Sequence, residues 1–102
     1  MRDGSKRSET ACVAITIAKP GCEEKVLEAL LGLIDTVRQE KGFIQYDLHR
    51  DQDDSRRFVL VERWDSREEF DAHCVAPHIN EYLEETQEWI ESGVFYPLTR
   101  LA

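Results

Sequence analysis

The sequence has no long apolar run and few basic residues, and each shortage excludes a class of protein. No segment approaches the ~20 consecutive apolar residues that a membrane-spanning helix needs. Lys and Arg number 13 against 21 Asp and Glu, which gives a formal net charge of −8. Because phosphate binding needs clustered Lys and Arg, we expect neither a nucleic-acid partner nor an anionic membrane surface.

Cysteine is also scarce, and its pattern indicates reduced thiols. Cys12, Cys22 and Cys74 are odd in number and form no C-x-x-C pair, which predicts a cytoplasmic protein rather than a disulfide-stapled one. The polar residues 1–10 lack the apolar centre of a secretory signal, so we interpret them as a flexible arm. Residues 11–102 then have the length of one domain with one core.

Motifs for common cofactors are missing as well. The chain contains no G-x-S-x-G, no P-loop and no G-x-G-x-x-G. Its three histidines, His49, His73 and His78, do not have the spacing of a zinc site with any cysteine. We therefore expect no metal ion and no cofactor.

What the sequence does contain is a regular change of hydrophobic period. Residues 11–18, 42–50 and 57–65 alternate between apolar and polar or small side chains, which predicts three strands. Between the first two, apolar residues recur at helical spacing from Cys22 to about Glu40, and Gly42 is placed to end that helix.

The remaining third of the chain predicts a divided helix and a last strand. Ser66 followed by Glu69 is a capping box that begins the second helix, and Pro77 splits that helix in two. We expect the later piece to end at Gly93, followed by a strand over residues 94–101. The apolar residues that we expect this piece to bury, with Thr86, are Ile79, Tyr82, Leu83 and Ile90.

These elements predict an α+β fold of order β-α-β-β-α-β. Right-handed crossovers then give one four-stranded antiparallel sheet with both helices on one face. The strand over residues 57–65 is apolar on both faces and belongs inside the sheet, whereas Pro97 places the last strand at an edge. The uncovered face predicts a homodimer, and a ligand platform in a monomer is the alternative.

Three motifs in residues 41–82 resemble the antibiotic biosynthesis monooxygenase family. They are G-x-x-x-Y-x-L-H-R over residues 42–50, F-V-L-x-E-x-W over residues 58–64 and F-D-A-H-x-x-x-P-H over residues 70–78. The resemblance implies a ferredoxin-like domain that forms a dimeric α/β barrel with a pocket between sheet and helices. It also implies oxygenation of quinols or phenols without metal, flavin or haem.

Three ionisable residues are candidates for catalysis. His73 and His78 are the best available bases, because histidine titrates near neutral pH, although a helix histidine also serves for packing or capping. They would lie roughly 140° apart on an unbroken helix, so a shared site depends on the break at Pro77. Glu62 shares a strand face with apolar residues and is either a functional carboxylate or part of an ion pair.

Four aromatic residues are candidates for substrate binding. Tyr46, Trp64 and Phe70 could line a flat aromatic pocket, and the hydroxyl of Tyr82 could orient a substrate oxygen. The alternative for each of them is ordinary core packing.

Three functions therefore remain open. The first is a cofactor-independent monooxygenase, an oxidoreductase that acts on a quinol-like or phenolic compound. The second is an isomerase of a small oxygenated metabolite, for which a phosphorylated substrate would need basic residues such as Arg50, Arg56 and Arg63. The third is a dimer that binds a small ligand without turnover.

Overall fold

Four strands and four short helices make up the computed structural model, which describes residues 9–102. The strands are β1 (Thr10–Ala18), β2 (Phe43–Arg50), β3 (Arg57–Trp64) and β4 (Ile90–Leu98). The helices are α1 (Glu23–Leu31), α2 (Ile34–Val37), α3 (Arg67–Cys74) and α4 (Pro77–Thr86). The predicted arm over residues 1–10 lies outside the described residues except for Glu9 and Thr10, the first residue of β1.

The strands form one antiparallel sheet in the order β2-β3-β1-β4. This confirms the ferredoxin-like α+β fold, with β3 inside the sheet as its two apolar faces predicted. Pro97 lies on the edge strand β4, opposite Cys12 of β1. Its missing N–H therefore removes little from the sheet.

Alternation along β3 separates a helix-covered face from an open face. Every second residue of β3 is buried beneath the helices, and those between are only half-buried. The helix-covered face of β3 consists of Phe58, Leu60, Glu62 and Trp64, each at most 7% exposed. By register, the open face carries Val13, Ile15, Ile17, Val59, Val61, Val94 and Tyr96.

The helix predicted from Cys22 to about Glu40 is divided in the structure. Helix α1 ends at Leu31, and α2 begins at Ile34 after a tight turn in which the Leu33 N–H donates to the Leu30 carbonyl. Gly32, a poor helix former, occupies the break. The apolar period continues through the turn, so it gave no sign of the interruption.

The end of the second helix is also earlier than predicted. The break at Pro77 is confirmed, but α4 ends at Thr86, and Ile90 is the first residue of β4 rather than part of a helix. Gly93 lies within β4, and Leu83 is 52% exposed instead of buried. Pairing of β4 with β1 outweighs the local helical pattern. Among residues 9–102, no helix is both long and apolar enough to cross a bilayer.

Candidate active site

A cavity of about 240 Å³ lies between the helix-covered face of the sheet and the helices. All four strands contribute to its floor, and residues of α1, α3 and α4 form its walls. Most of its lining is apolar. Five of the seven predicted site residues line it: Tyr46, Glu62, Phe70, His73 and Tyr82.

Glu62 is a buried carboxylate on the floor of this cavity. The two-residue period of β3 places it on the same face as Trp64, whose indole Nε1 donates a hydrogen bond of 3.0 Å to Glu62 Oε1. Burial raises the pKa of Glu62 to about 7, although the Trp64 hydrogen bond favours the charged form. The negative charge of Glu40 adds to the increase. Glu62 can therefore both accept and release a proton near neutral pH.

His73 lies against Glu62 inside a cage of aromatic rings. Its ring stacks on Trp64 at 4.5 Å between centroids, and Tyr46 meets it edge-on at 5.5 Å. Its Nε2 is 3.8 Å from Glu62 Oε1. Burial lowers the pKa of the imidazole, and the hydrogen bond with Glu40 opposes that decrease. A neutral His73 that donates from Nδ1 to Glu40 keeps Nε2 as a free acceptor on the side of Glu62.

Glu40 is a site residue that sequence reasoning missed. It lies in the turn between α2 and β2, and its Oε2 is 3.0 Å from His73 Nδ1 and 2.6 Å from His78 Nε2. The helix break before Pro77 lets both histidines reach this one oxygen. No local pattern could have found Glu40, because its partners are 33 and 38 residues away in the chain.

Two of the predicted site residues do not line the cavity. Trp64 is fully buried behind His73, and it supports His73 by stacking and Glu62 by its hydrogen bond. His78 lies on the far side of Glu40 and lines a second, wider groove of about 750 Å³ between α1 and α4. We call this the outer groove, and its charged lining includes Lys25, Glu28, Glu81 and Glu85.

Tyr82 connects the two spaces, since it lines both the cavity and the outer groove. Its buried hydroxyl has no hydrogen-bond partner of standard geometry among the described residues. Burial raises its pKa to about 12, against the opposing effect of the nearby Thr16 and Thr86 side chains. A buried hydroxyl without such a partner is available for a hydrogen bond with a polar group on a ligand.

Thiols and metal ligands are a separate matter. All three cysteines are free. Burial raises the pKa of Cys12 to about 12 and that of Cys74 to about 11, so both remain protonated and behave as small apolar residues. Within residues 9–102, no group of three or more His, Cys, Asp or Glu side chains could hold a metal ion.

The arginines considered for a phosphate site lie elsewhere. Arg50 pairs with Glu24, Arg56 with Glu91 and Arg63 with Glu9, at 3.0 to 3.1 Å. None of the three lines the cavity. The acidic and basic side chains at the cavity are instead Glu62 and His73, so the lining does not favour a phosphorylated ligand.

Several solved structures are similar to this chain over nearly its whole length. A protein from Shewanella oneidensis is 32% identical, with a TM-score of 0.87 and coverage of 92% of each chain. A Pseudomonas aeruginosa protein is 28% identical, with a TM-score of 0.87 and coverage of 93% of this chain and 96% of its own. A structure described as an antibiotic biosynthesis monooxygenase is 26% identical, with a TM-score of 0.84 and coverage of 91% and 99%.

No functionally curated protein matches the sequence. The family model for antibiotic biosynthesis monooxygenases matches residues 10–85, which span β1 through nearly all of α4. That match contains all three motifs on which the resemblance rested, and it includes Glu40, Glu62, His73 and His78. The chain therefore belongs to the antibiotic biosynthesis monooxygenase family.

Proposed function

We propose that this protein is a cofactor-independent monooxygenase that oxidises a small quinol-like or phenolic compound with dioxygen. The observation that carries the proposal is the Glu62–His73 pair in a mostly apolar cavity. The cavity volume of about 240 Å³ suits a ligand of one or two rings, because pockets for drug-sized ligands are usually about 300–1,000 Å³.

The first step is removal of the phenolic proton by His73 or Glu62. His73 Nε2 is the acceptor on the cavity side, and Glu40 stabilises the imidazolium that forms. Tyr46, Phe70 and Tyr82 surround the ring, and the Tyr82 hydroxyl is free to donate to a substrate oxygen. An apolar cavity strengthens each of these electrostatic interactions relative to water.

The second step is oxidation of the phenolate, which itself supplies the electrons. It passes one electron to dioxygen, and the resulting superoxide combines with a hydrogen-bearing ring carbon ortho or para to the phenolic oxygen. The peroxide anion takes back the proton from the imidazolium. Loss of the hydrogen on that carbon as a proton, with cleavage of the O–O bond and release of hydroxide, leaves a quinone and one molecule of water.

Aerobic and anaerobic incubation of metal-free protein with a panel of phenols and quinols tests this function. We expect an oxygen-dependent quinone product, and we expect His73→Gln to reduce its rate by about 10²- to 10⁴-fold. His49→Gln is the matched control, because His49 is exposed on β2, does not line the cavity, and has its Nδ1 3.3 Å from the Val59 carbonyl oxygen. Equal rates for wild type and His73→Gln would rule out His73 as the base.

The same experiment separates the two alternatives. Turnover that continues without oxygen would indicate an isomerase. Ligand binding without turnover, unchanged in His73→Gln, would indicate a binding protein. Within residues 9–102, no Lys or Arg lines the cavity in favour of the phosphorylated substrate that one such isomerase would require.

We also propose that the protein is a homodimer in which the open faces of two sheets pack together. Val94 and Tyr96 on this face are 45% and 53% exposed although both are apolar or aromatic. Exposed apolar surface on three neighbouring strands is typical of an interface. The length of the chain supports the proposal, since a domain of this size gains stability from additional burial.

Sedimentation of Val94→Glu tests the dimer. We expect wild type at twice the chain mass and Val94→Glu at the chain mass, because the interface would bury a carboxylate among apolar residues. Val75→Glu is the matched control, since Val75 is 69% exposed at the end of α3, away from the open face. A wild-type monomer, or a Val94→Glu dimer, would contradict the proposed interface.

A further inference from the structure

We propose that Glu40 and His78 form a proton path that connects the Glu62–His73 pair in the cavity with the outer groove. The path rests on the proposed function, since it serves a reaction that removes a proton from the substrate and later returns it. It assigns a role to Glu40, which no motif indicated, and to His78, which does not line the cavity.

Four side chains from four parts of the fold are connected in series. Glu62 Oε1 of β3 is 3.8 Å from His73 Nε2 of α3. His73 Nδ1 is 3.0 Å from Glu40 Oε2 in the turn before β2, and the same oxygen is 2.6 Å from His78 Nε2 of α4. Each ring nitrogen of His73 therefore lies beside a different carboxylate.

Exposure increases in the same order along this series. The side chains of Glu62, His73, Glu40 and His78 are 4%, 7%, 14% and 24% exposed, respectively. A structural ion pair would need no such gradient. A path from a buried acceptor to solvent requires it, because its last member must exchange protons with water.

The transfer balances without any further reactant. His73 takes the substrate proton on Nε2 and passes its Nδ1 proton to Glu40 Oε2. Glu40 passes a proton to His78 Nε2, and His78 releases its Nδ1 proton to water in the outer groove. Protonation of the peroxide draws a proton back along the same atoms in reverse, which restores His73 to its original tautomer.

The titratable groups around the path come from β1, β2, α1, α3 and α4. Those near Glu62 and His73 are Cys12 of β1, Tyr46 of β2 and Cys74 of α3. Those that share the outer groove with His78 are Lys25, Glu28, Glu81 and Glu85. Three carboxylates and one ammonium thus surround the groove into which His78 would release its proton.

Imidazole NMR tests the connection without any substrate. The chain has only three histidines, so labelled histidine gives three sets of ring signals that single variants can assign. We expect the protonation of His73 and His78 to be coupled in wild type, so that His78→Gln changes the titration of His73. In Glu40→Gln we expect the pKa of His73 to fall by about 1 or more and the coupling to vanish. His49 is the internal control.

Turnover tests whether the connection carries protons. In weak buffer, we expect His78→Gln to reduce kcat about tenfold or more, and added imidazole to restore most of it. A merely structural role would not be rescued by imidazole. Glu40→Gln should lose activity without rescue, because its defect lies inside the protein, whereas His49→Gln should match wild type.

The two measurements also separate the path from the proposed function. Absence of turnover with every phenol and quinol counts against the proposed function, and the NMR titrations still decide whether the path exists. Independent titration of His73 and His78 in wild type would overturn the path. So would a His78→Gln variant with wild-type kcat in weak buffer.

Discussion

The two faces of the sheet come from the same strands, yet they differ in packing and in chemistry. On β3, Phe58 is 1% exposed beneath the helices, while its neighbour Val59 is half-buried on the open face. The helix-covered face carries a buried carboxylate, whereas the central part of the open face is apolar. The face that is better shielded from water thus carries the carboxylate, whose burial costs more free energy than the burial of an apolar side chain.

That arrangement has a physical cause. A carboxylate in an apolar setting keeps a raised pKa only if water is excluded, so Glu62 needs the helix-covered face. The apolar residues of the open face need no helix above them if a second copy of the chain shields them from water, as in the proposed dimer. Under the two proposals above, the helix-covered face serves the reaction and the open face serves dimerisation.

Replacing neighbouring residues of β3 should give the largest contrast in stability. Phe58→Ala should lower the free energy of unfolding by about 3–5 kcal/mol, because it leaves a cavity in the core. Val59→Ala should cost about 1 kcal/mol, since Val59 is only partly buried. Urea unfolding measures both. Similar losses of unfolding free energy in the two variants would mean that the two faces are equally covered. If the loss caused by Val59→Ala grows with protein concentration, that dependence would indicate a dimer.

The buried carboxylate should make stability depend on pH. The folded-state pKa of Glu62 is raised from 4.5 to about 7, so between these values the native state holds a proton that the unfolded state has lost. Stability therefore falls as pH rises through this window. Glu62→Gln should remove that decrease and stabilise the protein by about 3 kcal/mol at pH 8, with little effect at pH 4.5.

Urea unfolding at both pH values checks this prediction. His73, whose pKa is lowered, acts in the opposite direction, because its stabilising effect is lost as pH falls below 6.5. The difference between wild type and Glu62→Gln isolates the carboxylate. Exposed Glu28 on α1 supplies the control, and Glu28→Gln should change stability little at either pH. An equal gain from Glu62→Gln at both pH values would contradict the raised pKa.

Two glycines with positive φ should give a smaller contrast. Gly42 and Gly21 have φ of 82° and 86°, so alanine at either position costs about 1–2 kcal/mol from backbone conformation alone. A Cβ at Gly42 would also overlap the Glu69 side chain at the start of α3, whereas a Cβ at Gly21 would contact nothing. Gly42→Ala should therefore be the more destabilising in thermal unfolding. Equal losses would show that Glu69 moves away freely.

Local signals predicted more of the fold than of the site. Alternation placed Tyr46, Glu62 and Trp64 on their strands, and the Ser66 cap is confirmed by its hydrogen bond from the Glu69 N–H. The break at Gly32 and the early start of β4 were missed. In both cases the apolar period continued through a change of structure. The Leu33 N–H bond to the Leu30 carbonyl marks the first, and the pairing of β4 with β1 marks the second.

The sequence by itself determined the order of strands and helical regions, the face on which the residues of β1, β2 and β3 lie, and the family. These follow from local periodicity and short motifs, which act over a few residues. Only the tertiary structure decided that Glu40 contacts His73 and His78, that Trp64 stands behind the cavity and that His78 faces the outer groove. Contacts between residues more than 30 positions apart depend on how the helices cross the sheet, and no periodic pattern encodes that geometry.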